Sequence, residues 1–367
     1  MKAIVMREFG GPEVLRLETG HPYPACGIRD VIIRVDACGV DYHDIVVRQG
    51  LMRRKTRSYR GTLDNSTPDI EFPLVPGLEI AGTIVEMGKE VNRLHLGQRV
   101  ATLPRTNHCG ACANCKTGRE ESCPYSEFLG HDVDGGYAEF VRVQYDSVVG
   151  VPDNVDSLAA SLAGACIGTM VRAVYDVGRV RAGESVLITG AGGGLGSHAV
   201  QLASVAGAEV FAATSSPAKA DQLHALGADH VVVYQRGGDF GAHTRELTQG
   251  AGVDVVIDTV GSAVFNSVWK AVGDYGRIVL AGEVGSGKVE VRPALVFLRR
   301  LQILGSYSPG ATHLASALKL LGREKISAVV GPVLPLHQAG KAHAMMETES
   351  PYGRVVLSLM DDEGAAR

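Results

Sequence analysis

Ser185-Val186-Leu187-Ile188-Thr189-Gly190-Ala191-Gly192-Gly193-Gly194-Leu195-Gly196 is the stretch on which the fold turns. Residues 185–189 carry an apolar run of strand length, and residues 195–206 continue with helical character. Between them lies a run of glycines. Such a run permits a tight strand-to-helix turn and lets backbone approach a ligand where a Cβ would intrude. The helix that follows presents free N–H groups and the positive end of its dipole to a phosphate. Gly190, Gly192, Gly193, Gly194, Leu195 and Gly196 are therefore candidate contacts to a dinucleotide pyrophosphate.

Reading onward, residues 209–213 form a second strand and 217–226 a helix with Pro217 in its first turn. Further strands fall at 230–234, 253–259, 277–281 and 301–305. Strands alternating with helices imply an α/β domain with a doubly wound parallel sheet, the Rossmann arrangement. The second strand runs into Thr214-Ser215-Ser216, with Lys219 one turn further. An acidic residue there would hold a free ribose hydroxyl. Hydroxyls and a lysine suit a 2'-phosphate, so NADP(H) is favoured over NAD(H). The same serines also read simply as a cap on the next helix.

Reading back, strands at 31–35, 79–85 and 138–143 are spaced as in an all-β domain. Residues 52–69 interrupt them with Arg53, Arg54, Lys55, Arg57 and Arg60 and no periodicity. This is either a solvated loop or a basic lid for a phosphate-bearing substrate such as an acyl-CoA. Beyond the α/β region come a helix at 314–322, a strand at 352–359 that returns to the first domain, and a frayed end at 361–367. The expected domains are 1–156, 157–299 for the dinucleotide, and 300–367 for the last strand of that sheet and the return.

Hydrophobic residues make up 45% and charged residues 21%, enough for substantial cores without covalent staples. Thirty-six basic against 40 acidic side chains leave no excess for nucleic acid or an anionic membrane. No signal-like N-terminus or spanning apolar run is seen, so a cytoplasmic location and small-molecule chemistry are expected. In that compartment the seven cysteines are reduced or metal-bound. Cys109, Cys112, Cys115 and Cys123 follow a C-x2-C-x2-C-x7-C spacing, the pattern of one closed, structural zinc.

Together these features resemble the medium-chain dehydrogenase/reductases. The resemblance spans nearly the whole chain and rests on several motifs. They are Cys38-Gly39-Val40, Pro76-Gly77-Leu78-Glu79-Ile80-Ala81-Gly82, Gly97-Gln98-Arg99-Val100, the cysteine lobe, Asp134-Gly135-Gly136-Tyr137-Ala138-Glu139, the glycine loop and Asp254-Val255-Val256-Ile257-Asp258. It implies a GroES-like β-barrel domain carrying the zinc lobe, an inserted Rossmann domain, and a homodimer or homotetramer. It also implies that Thr169, Gly282 and Gly305 approach the cofactor.

The departure from the family is chemical. Its zinc-dependent members use a cysteine, a Gly-His-Glu histidine and a later cysteine or acid. Cys38 and Cys166 match the ends, and Glu79 is kept, but Leu78 replaces the histidine. On one reading no catalytic zinc is bound, and the enzyme reduces an activated C=C bond of an enone, quinone or enoyl thioester. Asp44-Ile45-Val46-Val47-Arg48-Gln49-Gly50 resembles the D-x3-R-x-G stretch of quinone and enoyl reductases, and the zinc lobe with this front end is similar to acryloyl-CoA reductases. Tyr42 and His43 are then the candidate proton donors. On the other, Cys38 and Cys166 hold a second zinc, completed by Glu79, Asp41 or His43, and the protein interconverts an alcohol and a carbonyl. A third is an NADPH-binding regulator without catalysis.

Overall fold

The computed structural model describes residues 1–52, 70–284 and 287–360. The basic segment Arg53, Arg54, Lys55, Arg57 and Arg60, and the end at 361–367, lie outside the described residues. The chain divides into two compact units. One comprises Met1–Ala165, Ser308–Gly322 and Val330–Arg367, the other Cys166–Tyr307 and Arg323–Val329.

The first unit is organised by the long strand Asp30–Gly39. Its residues 30–34 pair antiparallel with Phe140–Gln144, and residues 37–39 with Arg354–Ser358. Its other side pairs with Glu79–Met87, which continues through Arg99–Thr102 to Val148–Gly150. Register irregularities at Ile32/Ile33 and Val35/Ala37 bend the strand, which lets one strand serve three partners. Val330–Pro335 closes the order beside Arg354–Ser358, in parallel. Ile33, Val35, Ile80, Ile84, Val141, Val143, Val355 and Leu357 form the core of this sheet. Each fully buried side chain of this size contributes ~1.5–3 kcal/mol.

The second unit is a six-stranded parallel sheet. Its order is His230–Val233, Glu209–Thr214, Ser185–Ile188, Val253–Asp258, Val272–Leu280 and Gln302–Gly305. The central strand reads Ser-Val-Leu-Ile with its three apolar residues fully buried, as helices on both faces require. The order in which strands are added reverses at Ser185–Ile188, with Glu209–Thr214 on one side and Val253–Asp258 on the other, all parallel. The crevice at such a switch point lies at the carboxyl end of Ser185–Ile188, where the glycines begin. After the second strand, Pro217–Lys219 makes a single tight turn before the helix Ala220–Ala225, because proline supplies the first-turn geometry but no N–H. Residues 157–177 are helical with wide π turns at Ala163–Gly168 and Arg172–Val177, the first of which carries Cys166.

Candidate active site

In the second unit Gly190 adopts φ +57°, the left-handed region that glycine enters without strain. A Cβ on Gly196 would lie 2.2 Å from the Gly190 carbonyl oxygen, so the helix Gly194–Val205 packs directly on the turn. A Cβ on Gly192 would meet Lys219 Cδ at 2.4 Å. The result is bare backbone at the start of a three-turn helix, which fits a dinucleotide pyrophosphate. Asp258 braces the neighbouring strand end: Oδ1 accepts from Thr189 Oγ1 at 2.6 Å and from the Val260 and Gly261 N–H groups at 3.0 Å. Gly282 also answers a close approach, since its Cβ would sit 2.4 Å from the Thr259 carbonyl oxygen. Gly305 has open space around it, at the end of the edge strand, and Thr169 follows the first π turn.

At the end of the second strand, Thr214 is buried and its Oγ1 accepts from the Ser216 N–H at 3.2 Å. Ser215 and Ser216 are half-buried. Lys219 Nζ donates to the Gly192 carbonyl at 3.2 Å, tying this corner to the glycine loop. Burial, and then the charge of Arg236, holds Lys219 below the ordinary lysine range. Arg236 is a second cation that sequence reasoning did not pick out.

Cys166 is fully buried in this unit. Its Sγ donates to the Gly194 carbonyl at 3.3 Å and lies 3.5 Å from His198 Nδ1. His198 accepts the Val329 N–H at Nε2 (2.9 Å), so its proton sits on Nδ1, 2.6 Å from the Gly194 oxygen. A lone histidine among apolar helix residues was the only sequence signal for it.

The other candidates gather in the first unit. Asp41 caps the helix Tyr42–Arg48 by accepting the His43 N–H at 2.8 Å, while the Asp44 side chain accepts the Asp41 N–H at 3.0 Å. This reciprocal cap fixes the helix start, and with it Tyr42 and His43. Arg354, nearly buried, places Nη2 2.8 Å from Asp41 Oδ2 and 3.0 Å from Glu79 Oε1. Gly39 makes room for this carboxylate, since a Cβ there would lie 2.1 Å from Glu79 Oε2. Burial and then the neighbouring carboxylates push Glu79 well above the ordinary range. Burial also opposes ionisation of Asp41, but Arg354 and the His43 N–H outweigh it and hold that carboxyl low. One guanidinium thus serves two buried acids, of which Asp41 favours ionisation and Glu79 resists it.

Cys38 and Leu78 are buried in one apolar cluster with Ile80, Phe128, Leu129 and Tyr137. Burial raises the Cys38 thiol well above its ordinary range. His43 stacks on Phe128 (centroids 4.7 Å apart, 17° between planes), and Arg105 covers the same ring at 4.5 Å. Its Nε2 lies 3.1 Å from Nδ1 of His131. Burial, then His131, depresses His43 to about 4, so the imidazole is neutral at pH 7. Behind it, Asp44 also accepts from Tyr137 Oη (3.2 Å) and the Gly77 N–H (3.3 Å), and Tyr137 Oη meets His343 Nε2 at 3.1 Å. Burial and the Asp41 charge raise Asp44 to about 7; burial and Arg48 lower His343 to about 3.

The four sulfurs of Cys109, Cys112, Cys115 and Cys123 lie within 4.8 Å of one another, and no other group of three or more such ligands converges among the described residues. Zn–S bonds of about 2.3 Å span a tetrahedron with edges of about 3.8 Å, so the lobe needs little adjustment to close on zinc. N–H groups of Ala111 and Cys112 point at Cys109 Sγ from 3.4 and 3.3 Å and lower that thiol to about 6. Burial and its neighbours push Cys115 up to about 12. Crowded thiols that cannot all ionise alone can do so around a cation. Just before Cys123, Glu120 accepts the Ala311 N–H at 2.9 Å and so anchors the helix Ala311–Gly322.

A dinucleotide crevice on a parallel sheet, joined in one chain to a β domain with a cysteine lobe, defines a nicotinamide-dependent oxidoreductase. Comparison with known proteins agrees. Residues 194–323 match the family model for zinc-binding dehydrogenases, and residues 27–153 that for the alcohol dehydrogenase GroES-like domain. An acryloyl-coenzyme A reductase of Sulfurisphaera tokodaii is 31% identical over 97% of this chain and 99% of its own length. The crystal structure of AibC superimposes with a TM-score of 0.88 at 40% identity, covering 98% of this chain and 95% of that one. A crystal structure of an NAD-dependent alcohol dehydrogenase gives 0.89 at 33%, covering 98% and 100%. The chain belongs to the medium-chain dehydrogenase/reductases and is an oxidoreductase of that type. Among the described residues, no helix is long and apolar enough to cross a membrane.

Proposed function

We propose that the protein is an NADPH-dependent reductase of an activated C=C bond, with an enoyl thioester as the substrate class, acting without a catalytic zinc. The observation that carries this reading is the fate of the donor atoms around Cys38. Leu78 packs into the apolar cluster, Arg354 engages both Asp41 and Glu79, and His131 engages His43. Cys38 is thus left without a second protein ligand from its own unit, whereas a catalytic zinc needs three. A substrate already polarised by conjugation needs no Lewis acid. It needs hydride at the β-carbon, which bound dihydronicotinamide supplies, and a proton at the α-carbon. We assign that proton to His43 on its capped helix, with Tyr42 beside it as the other candidate.

The cofactor choice rests on Thr214, Ser215, Ser216, Lys219 and Arg236, two cations and three hydroxyls with no carboxylate at the strand end. The thioester rests on the acryloyl-coenzyme A reductase relative. Zinc per chain, measured alongside NADPH oxidation by enoyl-CoAs, enones, quinones and aldehydes, tests the reading. About one zinc and turnover of the conjugated substrates are expected. About two zincs with turnover of simple aldehydes would overturn it in favour of an alcohol dehydrogenase, and no turnover at all would favour a binding protein. Lys219→Glu with Ser216→Asp is expected to lower the NADPH/NADH ratio of kcat/KM at least about tenfold, ~1.4 kcal/mol of lost phosphate recognition.

Self-association is part of the proposal. Among the described residues, the edge strand Gln302–Gly305 pairs on one side only, and Phe297, Leu298, Ile303 and Tyr307 beside it are exposed. An open apolar strand edge is a template for a second copy. Ile303→Lys should shift the sedimentation profile toward monomer, and an unchanged profile would remove this edge as the interface.

A further inference from the structure

Three buried side chains converge on one carbonyl of the glycine turn. The Gly194 oxygen accepts from His198 Nδ1 at 2.6 Å, from Ser197 Oγ at 3.2 Å and from Cys166 Sγ at 3.3 Å. All three residues are fully buried. Ser197 and His198 stand on the helix Gly194–Val205, and Cys166 on the π turn Ala163–Gly168. The His198 proton sits on Nδ1 because Nε2 accepts the Val329 N–H. A serine bonded back to its own helix is an ordinary contact, but three side-chain donors exceed what two lone pairs usually take. The N–H side of that peptide is open. The Ala191 N–H is bonded to the Ala213 carbonyl and the Gly193 N–H to the Gly190 carbonyl. Gly193 caps the helix without a side-chain bond, so the N–H groups of Gly194, Leu195 and Gly196 have no partner among the described residues. Gly192 provides the contrast. Its carbonyl takes Lys219 Nζ, but the N–H of the same peptide is that of Gly193 and is already bonded.

We propose that Cys166 and His198 are positioning residues for the dinucleotide, acting through the Gly194–Leu195 peptide. The proposal rests on the NADPH-dependent reading above and gives the Cys166 thiol a role other than holding metal. The carbonyl and the N–H of one peptide are conjugated. Donors on the Gly194 oxygen therefore draw charge from the Leu195 nitrogen and make its N–H a stronger donor, as in any cooperative chain of hydrogen bonds. Leu195 is half-buried and second in its helix, where free N–H groups and the dipole end favour a phosphate. The same donors fix the plane of the peptide before a ligand arrives, so less order remains to be imposed on binding. His198, at 2.6 Å, carries the larger share, because a thiol is a weak donor. The pyrophosphate is common to NADPH and NADH, so affinity for both depends on this peptide and the choice between them does not.

Two variants of the full-length protein separate the two ends of the imidazole. His198→Asn keeps an N–H near the Nδ1 position and loses the acceptor for Val329. His198→Gln sets an amide oxygen near the Nε2 position, so it keeps Val329 and loses the donor to Gly194. In a fluorescence titration His198→Gln should weaken NADPH and NADH by about fivefold each, with their ratio unchanged, and His198→Asn should stay within about twofold of wild type. Cys166→Ala should weaken both by about threefold, and Cys166→Ser should restore them, since a hydroxyl donates as the thiol does. Independently of any ligand, 15N-leucine-labelled protein should show the Leu195 amide proton moved upfield in His198→Gln and Cys166→Ala but not in His198→Asn or Cys166→Ser. Loss of the signal in Leu195→Ile assigns it. Should His198→Gln fold poorly, Cys166→Ala against Cys166→Ser is the deciding pair. The reverse order, with His198→Asn weak and His198→Gln normal, would make His198 only an anchor for residues 323–329 and overturn the proposal. So would an unmoved Leu195 signal or a changed NADPH/NADH ratio. A second zinc that Cys166→Ala removes would overturn the part given to the thiol. Wild-type protein that binds neither dinucleotide would instead remove the NADPH-dependent reading, and the Leu195 signal would still decide whether the peptide is polarised.

Discussion

Arg354→Met removes the one cation that Asp41 and Glu79 share. The methionine stem fills most of the space and leaves Asp41 as a buried, uncompensated carboxylate. At 2.8 Å and an effective dielectric near 20, the Asp41–Arg354 attraction is about 6 kcal/mol before desolvation is counted. Desolvation of the guanidinium offsets much of this, yet breaking a buried pair from one side still costs about 3–5 kcal/mol. For a domain of this size that is a fall of roughly 6–20 °C in thermal midpoint. The cost has a pH signature. Asp41 has a lowered folded pKa, so its stabilisation is present above the unfolded value and is lost only as pH falls through the folded one. In the variant its folded pKa rises, so the deficit is largest near pH 7 and shrinks toward pH 4. Adding Asp41→Asn should restore most of the loss, because asparagine caps a helix as well as aspartate does and carries no charge. Denaturant and thermal unfolding at pH 5 and 7 measure all three proteins. A loss below about 1 kcal/mol at pH 7, or one that Asp41→Asn does not relieve, would refute the charge-balance argument.

Asp44 titrates the other way. Its folded pKa is raised to about 7, so the folded state holds that proton more tightly, and stability from this group is present at low pH and falls as pH rises from about 4 to about 7. Asp44→Asn should therefore gain on wild type between pH 5 and 8 by a few kcal/mol, order of magnitude, and parallel curves would contradict it. Gly196→Ala should weaken dinucleotide binding at least about tenfold in a fluorescence titration, since its Cβ meets carbonyl backbone that has nowhere to move; unchanged affinity would show that the turn yields. Cys112→Ser, or prolonged exposure to a strong chelator, should release about one zinc per chain and lower the thermal midpoint by at least about 5 °C. Loss of zinc without loss of stability would leave the lobe no structural part.

What sequence conveyed was chemistry held in one short stretch. The glycine loop lies within seven residues, its strand directly precedes it, and the four cysteines fall on one lobe, so local spacing carries their meaning. The reading of a Rossmann sheet beside a GroES-like domain followed from such stretches and agrees with the family matches. The surroundings of Cys38 were hidden, because they are built from pairs far apart in the chain. His131 is 88 residues from His43, His343 is 206 from Tyr137, and Arg354 is 313 from Asp41. Nothing in a single chain reports such pairings. A weak trace of Arg354 existed, as a charge at the head of Val355-Val356-Leu357 in a wholly buried strand. The trace of His131 was its place between Gly130 and Asp132 in a turn. Leu78 showed only that a ligand was missing. That both nearby acids are bound to one arginine is a tertiary fact.

The pairing of Cys38 with Leu357 and of Gly39 with Val356 governs how this protein can be made. As it leaves the ribosome, the chain presents residues 30–39 first and must wait for 354–358 before that strand has both neighbours along its length. The parallel sheet between them can fold meanwhile, since all six of its strands emerge earlier. Throughout synthesis a buried-type strand therefore stands with part of one edge open, inviting capture by a chaperone or by another nascent chain. A stop codon between residues 330 and 354 yields an intact dinucleotide sheet attached to an unfinished partner, and such a product is one for the proteases rather than a weaker enzyme.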